Sequence, residues 1–126
     1  HRGTASGVRY VTGQRKANEP LDLDWKSLAD PDTTLVVYMG LANIPEIVRN
    51  LIAQGLPGTT PVLAVCQGTT PQESRICAPL EALPVALKDV SFSGPVLFII
   101  GKVAGLASER SARSDAATCE AISVVA

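Results

Sequence analysis

The segment from Thr34 to Gln54, TLVVYMGLANIPEIVRNLIAQ, constrains the fold more than any other stretch of this chain. It opens with Leu35-Val36-Val37-Tyr38, an apolar run rich in β-branched residues, which is typical of a strand buried on both faces. After Met39-Gly40, apolar residues recur at helical spacing: Ile44, Ile47, Val48, Leu51 and Ile52. A buried strand, a glycine turn and an amphipathic helix in this order indicate an α/β fold.

The ends of this helix carry their own sequence signals. Asn43 is predicted to be the N-cap, with Glu46 reaching back three residues as in a capping box. Pro45 in the first turn loses no intrahelical hydrogen bond. Gly55 is placed to end the helix in a left-handed C-cap. The helix is therefore predicted to run from about Ile44 to the residues just before Gly55.

Other elements follow the same patterns along the chain. They are a strand over 7–12, a short helix over 24–29 capped by Asp24, strands over 61–67 and 72–78, a helix over 80–90, and a strand over 96–100. The turn between the strands at 61–67 and 72–78 is short, which predicts that these two pair antiparallel. We expect an α/β domain with a mixed, mostly parallel five-stranded sheet flanked by helices.

Composition excludes several classes of function. The chain of 126 residues is long enough for one domain, and its formal net charge of −1 gives no basic excess for nucleic acid. Aromatic residues are only 4% of the chain, so base-stacking platforms are not expected, and no apolar run is long enough for a membrane span. With one histidine and no CxxC spacing, no metal site is expected. Cys66 and Cys77 lie in apolar surroundings and are predicted to be buried free thiols of a reducing compartment.

The two ends of the sequence differ from the rest. His1-Arg2-Gly3 is neither a signal nor a transit peptide, and the single methionine is Met39, so we expect a fragment or a processed chain. Residues 107–126 are rich in serine and alanine and lack an apolar face, which indicates a marginal helix or a disordered tail. The folded domain is therefore predicted to occupy residues 1–106.

The sequence contains no GxSxG elbow, no GxxxxGK[ST] phosphate loop and no GxGxxG pattern. It does place three loops at strand ends, namely 38–42, 68–71 and 93–95, which would gather at one edge of a parallel sheet. Gly40 would let backbone approach a ligand, Met39 offers a soft apolar surface, and Thr69 and Thr70 offer hydroxyls. Pattern alone favours structural roles instead: a core gap-filler for Met39 and an ordinary turn at 68–71.

Several motifs together resemble the tetrapyrrole methylase family, in its branch that methylates uroporphyrinogen III. They are Tyr38-Met39-Gly40-Leu41 with Ile44-Pro45-Glu46-Ile47, Gln67-Gly68-Thr69-Thr70-Pro71-Gln72 with Arg75, the run Gly94 to Val103, and the opening stretches His1-Arg2-Gly3, Ala5 to Val8 and Val11-Thr12-Gly13. The resemblance covers residues 1–106. YMGL and GTTPxxxR are fairly specific to this branch when they occur together.

The resemblance implies a fold and a cofactor. Members of the family have two α/β domains with a cleft between them, and this chain matches the C-terminal one. S-adenosyl-L-methionine, the methyl donor, binds in that cleft and leaves as S-adenosyl-L-homocysteine. By this resemblance the cofactor-binding residues would be the following: Met39, Gly40, Gly68, Thr69, Pro95 and Val96.

The resemblance also implies a substrate, uroporphyrinogen III, which is methylated at C2 and C7 to give precorrin-2 on the way to sirohaem and cobalamin. Arg2 matches an arginine of the family's Thr-His-Arg loop and would pair with a substrate carboxylate, and Tyr38 would also contact the substrate. The N-terminal half of the family pattern, with its glycine-rich loop and proposed base, has no counterpart in this chain. The catalytic residues therefore stay unassigned, and the isolated chain is expected to be inactive.

The family pattern further implies a homodimer for the full-length protein and a location in the cytoplasm, or in the plastid stroma of a plant-like source. Two alternatives remain open. One is a non-catalytic α/β module that binds a small ligand or a partner chain through the same sheet edge. The other is a tetrapyrrole methylase that acts on another substrate, such as a precorrin or a diphthamide intermediate.

Overall fold

A computed structural model describes residues 3–17 and 19–107. The sheet contains β1 (Gly7–Thr12), β2 (Thr33–Tyr38), β3 (Pro61–Cys66), β4 (Ser74–Pro79) and β5 (Val96–Ile100). The helices are α1 (Trp25–Leu28), α2 (Ile44–Ala53) and α3 (Leu83–Leu87), with short 3-10 segments at Leu41–Asn43, Leu80–Ala82 and Lys102–Ala104. The order of strands and helices along the chain confirms the one predicted from the sequence. Within the described ranges, no helix is both long and apolar enough to cross a membrane.

The predicted helix over 80–90 is the element whose bounds differ most. It begins as the 3-10 segment Leu80–Ala82 and continues as an α-helix only over Leu83–Leu87. Pro84 explains the division, because it has no N–H to donate to the carbonyl of Leu80. The helix from Leu80 therefore cannot form as one continuous α-helical unit.

The strands form a five-stranded mixed sheet in the order β1-β2-β5-β3-β4. Only β1 and β2 pair in parallel, whereas β2–β5, β3–β5 and β3–β4 are antiparallel. The prediction of a mixed sheet and of an antiparallel β3–β4 pair is confirmed, but the expectation that the sheet is mostly parallel is wrong. The β3–β4 hairpin reverses the chain, and the α3 crossover then carries this reversed direction into β5.

One face of the sheet and the three helices share a single core. The register aligns Val37 with Phe98 and Phe98 with Ala64, so that these three side chains lie on the same face. They are buried together with one side of each helix: Leu28 of α1, Ile44, Ile47, Val48 and Leu51 of α2, and Leu83 and Ala86 of α3. This confirms the predicted apolar face of α2 up to Leu51, while Ile52 lies on the surface.

The C-terminal end of α2 is a Schellman motif. The N–H of Leu56 donates to the carbonyl of Leu51 at 3.1 Å, and the N–H of Gly55 donates to that of Ile52 at 3.0 Å. Gly55 has φ 103°, the left-handed conformation predicted for it. Leu51 and Leu56 are both in the core, so the motif ends the helix and buries its hydrophobic contact together.

The N-terminal end of α2 differs from the prediction, because Asn43 does not form a capping box. Asn43 is the last residue of the 3-10 segment Leu41–Asn43, with φ −115° and ψ 11°, and its side chain makes no capping hydrogen bond. The Asn43 amide instead donates from Nδ2 to the carbonyl of Gly13 at 2.6 Å. Glu46 does not reach back either, since its carboxylate pairs with Arg15. Both side chains connect α2 to the loop after β1.

We predict that Gly55→Ala destabilises the domain because of its backbone conformation alone. A Cβ at Gly55 would have no neighbour within 4 Å, so no clash contributes. The left-handed φ should cost about 1 kcal/mol of unfolding free energy for a residue with a Cβ. Urea denaturation measures this change. Gly7→Ala is the matched control, because its Cβ also has open space and its φ is not left-handed. Equal stability of the two variants would contradict the assignment.

We also predict that Asn43→Asp lowers stability. If Asn43 were a capping residue, aspartate would serve equally well, since both are favoured N-caps. Because its amide donates to Gly13, a carboxylate would lose the donor and face the Gly13 carbonyl, at a cost of about 1 to 2 kcal/mol. Denaturation at neutral pH tests this, with Gln14→Glu, an equivalent change at an exposed neighbour, as the control. An unchanged or higher stability of Asn43→Asp would restore the capping interpretation.

Candidate functional site

The predicted loops do lie at one edge of the sheet. It is formed by the C-terminal ends of β1, β2 and β3 and, since β5 runs antiparallel to β2 and β3, by its N-terminal end. We call this the loop edge, and it consists of Gly13, Met39–Gly40, Gln67–Thr70 and Gly94–Pro95. The loops share one edge as expected, but the parallel arrangement that was expected to bring them together is not the cause. In a parallel sheet, the loop that precedes β5 would lie at the opposite edge.

The β1 and β2 loops touch backbone to backbone. A Cβ on Gly13 would lie 2.5 Å from the Cα of Gly40, and a Cβ on Gly40 would lie 2.7 Å from Cγ1 of Val37. The N–H of Gly13 donates to the carbonyl of Tyr38 at 2.7 Å, and the amide of Asn43 bonds the Gly13 carbonyl. Gly40 is thus required for packing beneath the turn, and this contact holds the turn at Met39 in place.

Met39 is not the core gap-filler that pattern alone favours. It is 58% exposed, and its backbone is left-handed with φ 54°. Residues other than glycine seldom adopt this backbone conformation, and such strain concentrates at functional sites. The fixed turn therefore directs a soft apolar side chain away from the core, as a ligand-binding role would require.

Tyr38 lies beside Met39 on the sheet face opposite to the helices, as the alternation along β2 dictates. It is 46% exposed and stacks on Tyr10 of β1, which is 66% exposed, with ring centroids 6.1 Å apart and an interplanar angle of 29°. The two stacked, exposed aromatic rings form an apolar surface with polar hydroxyl tips. Such a surface suits a ligand with both apolar and polar parts.

The β3–β4 turn is held by its own side chains. Two residues are left-handed, Gln67 with φ 52° and Thr69 with φ 65°. The hydroxyl of Thr70 donates to the carbonyl of Gln67 at 2.7 Å, and the N–H of Thr69 donates to Oε1 of Glu73 at 3.1 Å. Gly68 and Thr69 are exposed, so this turn can offer polar groups to a ligand.

The part of the loop edge that precedes β5 is held by a contact with the end of β3. Cys66 is a buried free thiol at the end of β3, and its Sγ lies 3.6 Å from the carbonyl of Gly94. Pro95 is exposed, whereas the side chain of Val96 is buried in the core. Of these two predicted cofactor residues, Pro95 can offer a side chain to a ligand and Val96 can offer only its main chain. Cys77, by contrast with the prediction, is only partly buried.

Glu46 in the first turn of α2 and Glu73 on the β3–β4 turn are both paired with arginines. Glu46 pairs with Arg15, and Oε2 of Glu73 accepts from Nε and Nη2 of Arg75 at 3.1 and 2.9 Å. The hydrogen bond from the Thr69 N–H, together with Arg75, lowers the pKa of Glu73 below its ordinary value. The stability that this carboxylate adds is present above its unfolded-state pKa and is lost as the pH falls through the lowered one. Neither group is arranged as a general base.

Two predicted elements lie outside the described residues: Arg2, expected to bind substrate, and the tail from residue 108 to 126. Within the described ranges, no group of three histidine, cysteine, aspartate or glutamate side chains could hold a metal ion.

Four residues that shape or extend the loop edge were not among the predicted site residues. Gly13, Gln67 and Glu73 shape it, and Tyr10 extends its aromatic surface. A signal existed for Gly13, because Thr12-Gly13 ends β1 as Met39-Gly40 ends β2. Glu73 gave no local signal, since its role depends on how the turn folds back.

Comparison with known proteins agrees with this architecture. Residues 2–84 match the family described as Tetrapyrrole (Corrin/Porphyrin) Methylases. A uroporphyrinogen-III C-methyltransferase of Paracoccus denitrificans is 54% identical over 109 residues, which are 86% of this chain and 38% of that protein. The S-adenosyl-L-methionine-dependent uroporphyrinogen III methyltransferase, chloroplastic, of Arabidopsis thaliana is 43% identical over 108 residues, which are 84% of this chain and 29% of that protein.

Solved structures show the same fold. The native form of a uroporphyrin-III C-methyltransferase from Thermus thermophilus has a TM-score of 0.68 and 34% identity, over 84% of this chain and 46% of that one. The same enzyme complexed with S-adenosyl homocysteine gives the same values. The chain thus spans less than half the length of these relatives. Because the family match covers more than half of its residues, the chain belongs to the tetrapyrrole methylase family.

Proposed function

We propose that this chain forms the C-terminal α/β domain of an S-adenosyl-L-methionine-dependent methyltransferase. The complete enzyme would methylate uroporphyrinogen III at C2 and C7 to give precorrin-2, from which sirohaem and cobalamin are made. The observation that carries the proposal is the 54% identity, over 109 residues, to a protein named uroporphyrinogen-III C-methyltransferase.

The loop edge supports a role in holding the methyl donor. Three of its loops expose side chains or backbone to a ligand, at Met39, Gly68, Thr69 and Pro95. Gly40, the remaining predicted cofactor residue of these loops, is buried and supports the Met39 turn. The donor has an apolar adenine face, hydroxyls and a charged amino-acid part, so mixed apolar and hydrogen-bonding groups fit it. Gly94 leaves space as well, since a Cβ there would meet only the Gln67 side chain, at 3.5 Å or more.

The bound donor supplies an electrophilic methyl group on a sulfonium, and transfer of that group needs no covalent enzyme intermediate. The contribution of this chain is to position the methyl donor. The Gly13–Gly40 contact fixes the Met39 turn, and the Thr70 and Glu73 hydrogen bonds fix the Gly68 turn. Holding reactants in line can supply most of the rate in such a reaction.

The substrate would lie beside this edge, with Tyr38 in contact and Arg2 pairing with one of its carboxylates. A guanidinium suits that role, because it binds a carboxylate through two parallel hydrogen bonds. Glu46 on α2 and Glu73 on the β3–β4 turn are paired with arginines. The base that removes the substrate proton would therefore come from the N-terminal part of the complete enzyme.

Two further proposals concern the complete protein. We propose that it is a homodimer, which the exposed Val8 and Tyr10 on the edge strand β1 support as an available apolar surface. We propose a location in the cytoplasm or the plastid stroma, where the buried thiol of Cys66 would remain reduced.

We predict that a chimera carrying this chain is an active methyltransferase. In the chimera, this chain replaces the matching segment of the Paracoccus denitrificans relative. Transfer of labelled methyl from S-adenosyl-L-methionine to uroporphyrinogen III measures the activity, and the dimethylated product identifies the reaction. The 126-residue chain alone should show no turnover, because half of a cleft lacks the preorganised contacts of the other wall.

The substrate control separates the alternatives. Methyl transfer to a precorrin but not to uroporphyrinogen III would identify a tetrapyrrole methylase with another substrate. A folded chimera that neither binds the donor nor transfers methyl would favour a non-catalytic binding module. Turnover by the isolated chain would contradict the requirement for a second domain.

We also predict that Met39→Glu in the chimera weakens binding of S-adenosyl-L-homocysteine at least tenfold. A carboxylate would need to be desolvated against the adenosine part of the ligand, and about 1.4 kcal/mol of that cost gives tenfold. Isothermal titration calorimetry measures the affinity. Val85→Glu is the matched control, because Val85 is also an exposed apolar residue but lies on α3. Unchanged affinity of a folded Met39→Glu variant would remove Met39 from the site.

A further inference from the structure

Glu73 occupies a particular place at the loop edge. One carboxylate oxygen accepts from the N–H of Thr69 at 3.1 Å, and the other accepts from Nε and Nη2 of Arg75 at 3.1 and 2.9 Å. It therefore joins the exposed turn after β3 to a side chain on β4. The contact is local in sequence, but it fixes the direction in which the turn leaves the sheet.

The turn needs such a contact because its own backbone is strained. Gln67 and Thr69 are left-handed, and Thr69 is β-branched, so this conformation is an outlier for it. Residues 68–72 are exposed, so core packing does not hold the turn. The remaining hydrogen bonds within it join Thr70 to Gln67, to the N–H of Gln72 and to the backbone N–H of Glu73. None of these reaches the N–H of Thr69.

We infer that Glu73 is a positioning residue, which sets the affinity for the methyl donor by holding the Gly68-Thr69 backbone in its binding conformation. It does so without touching the donor, and Arg75 orients its carboxylate. This inference rests on the proposed function, because it assigns the Gly68 turn to the donor site. It extends that function by placing control of donor affinity on a side chain behind the turn.

The test compares three variants of the chimera described above. Glu73→Ala removes the acceptor of the Thr69 N–H and of both Arg75 donors. KM for the donor should rise about fivefold, as expected for the loss of the one bond that holds the turn, with kcat at saturating donor unchanged. Glu73→Gln keeps an acceptor for the Thr69 N–H and should return KM to within about twofold of the unsubstituted chimera. Glu81→Ala, at an exposed glutamate of the 3-10 segment Leu80–Ala82, is the control and should leave KM unchanged.

Thermal unfolding of each variant accompanies the kinetics, and the isosteric glutamine keeps the test decisive where the alanine variant folds poorly. A donor KM that Glu73→Ala leaves unmoved would overturn the inference. A fall in kcat at unchanged KM would also overturn it, as would a glutamine variant as impaired as the alanine one. If the unsubstituted chimera transfers no methyl group, the proposed function fails instead, so the two failures are distinguishable.

Discussion

The antiparallel insertion of β5 between β2 and β3 is the constraint on which the rest of the structure depends. The strand hydrogen-bonds on both sides, and Phe98 at its centre is aligned with Val37 on one neighbour and Ala64 on the other. These three side chains are fully buried, so the core of the sheet is organised about one strand. A slip of one residue would turn this whole row to the opposite face.

The direction of β5 also builds the candidate site. Its N-terminal end lies between the C-terminal ends of β2 and β3, so Gly94 and Pro95 come between the turns at Met39 and Gly68. The buried Cys66 thiol lies close to the Gly94 carbonyl and links the two strands where they meet this edge. Core packing and site geometry therefore have one origin, and a change that displaced β5 would disturb both.

Much of this fold could be predicted from the sequence, because many of its elements are fixed by local pattern. The buried strand β2, the apolar face of α2 and the left-handed Gly55 all follow from residues within a few positions of each other. The prediction of a mostly parallel sheet was wrong because strand direction depends on which strands become neighbours. No local signal shows that β5 enters between β2 and β3.

The candidate site was predictable in place but not in construction. The motif residues Met39 and Gly68 marked two of its loops. The Gly68 turn is held by Thr70 and Glu73 close by in sequence, but the Met39 turn is held by partners far along the chain. Asn43 bonds Gly13 across 30 positions and Arg15 pairs with Glu46 across 31, so side chains that looked like a capping box serve the site instead. An asparagine at this position can either cap the helix or donate its amide to a distant carbonyl. The sequence is the same in both cases, and only the packed structure distinguishes them.

The two halves of the loop edge are held in different ways, and this has a consequence for binding. At Met39 the turn rests on backbone contact between Gly13 and Gly40, which leaves no room for adjustment. At Thr69 the turn rests on exposed side-chain hydrogen bonds, which open at lower cost. A ligand held between them would contact one rigid turn, at Met39, and one deformable turn, at Thr69. Ordering the Thr69 turn has a free-energy cost on binding, and the Glu73 carboxylate reduces that cost by ordering the turn before the ligand binds.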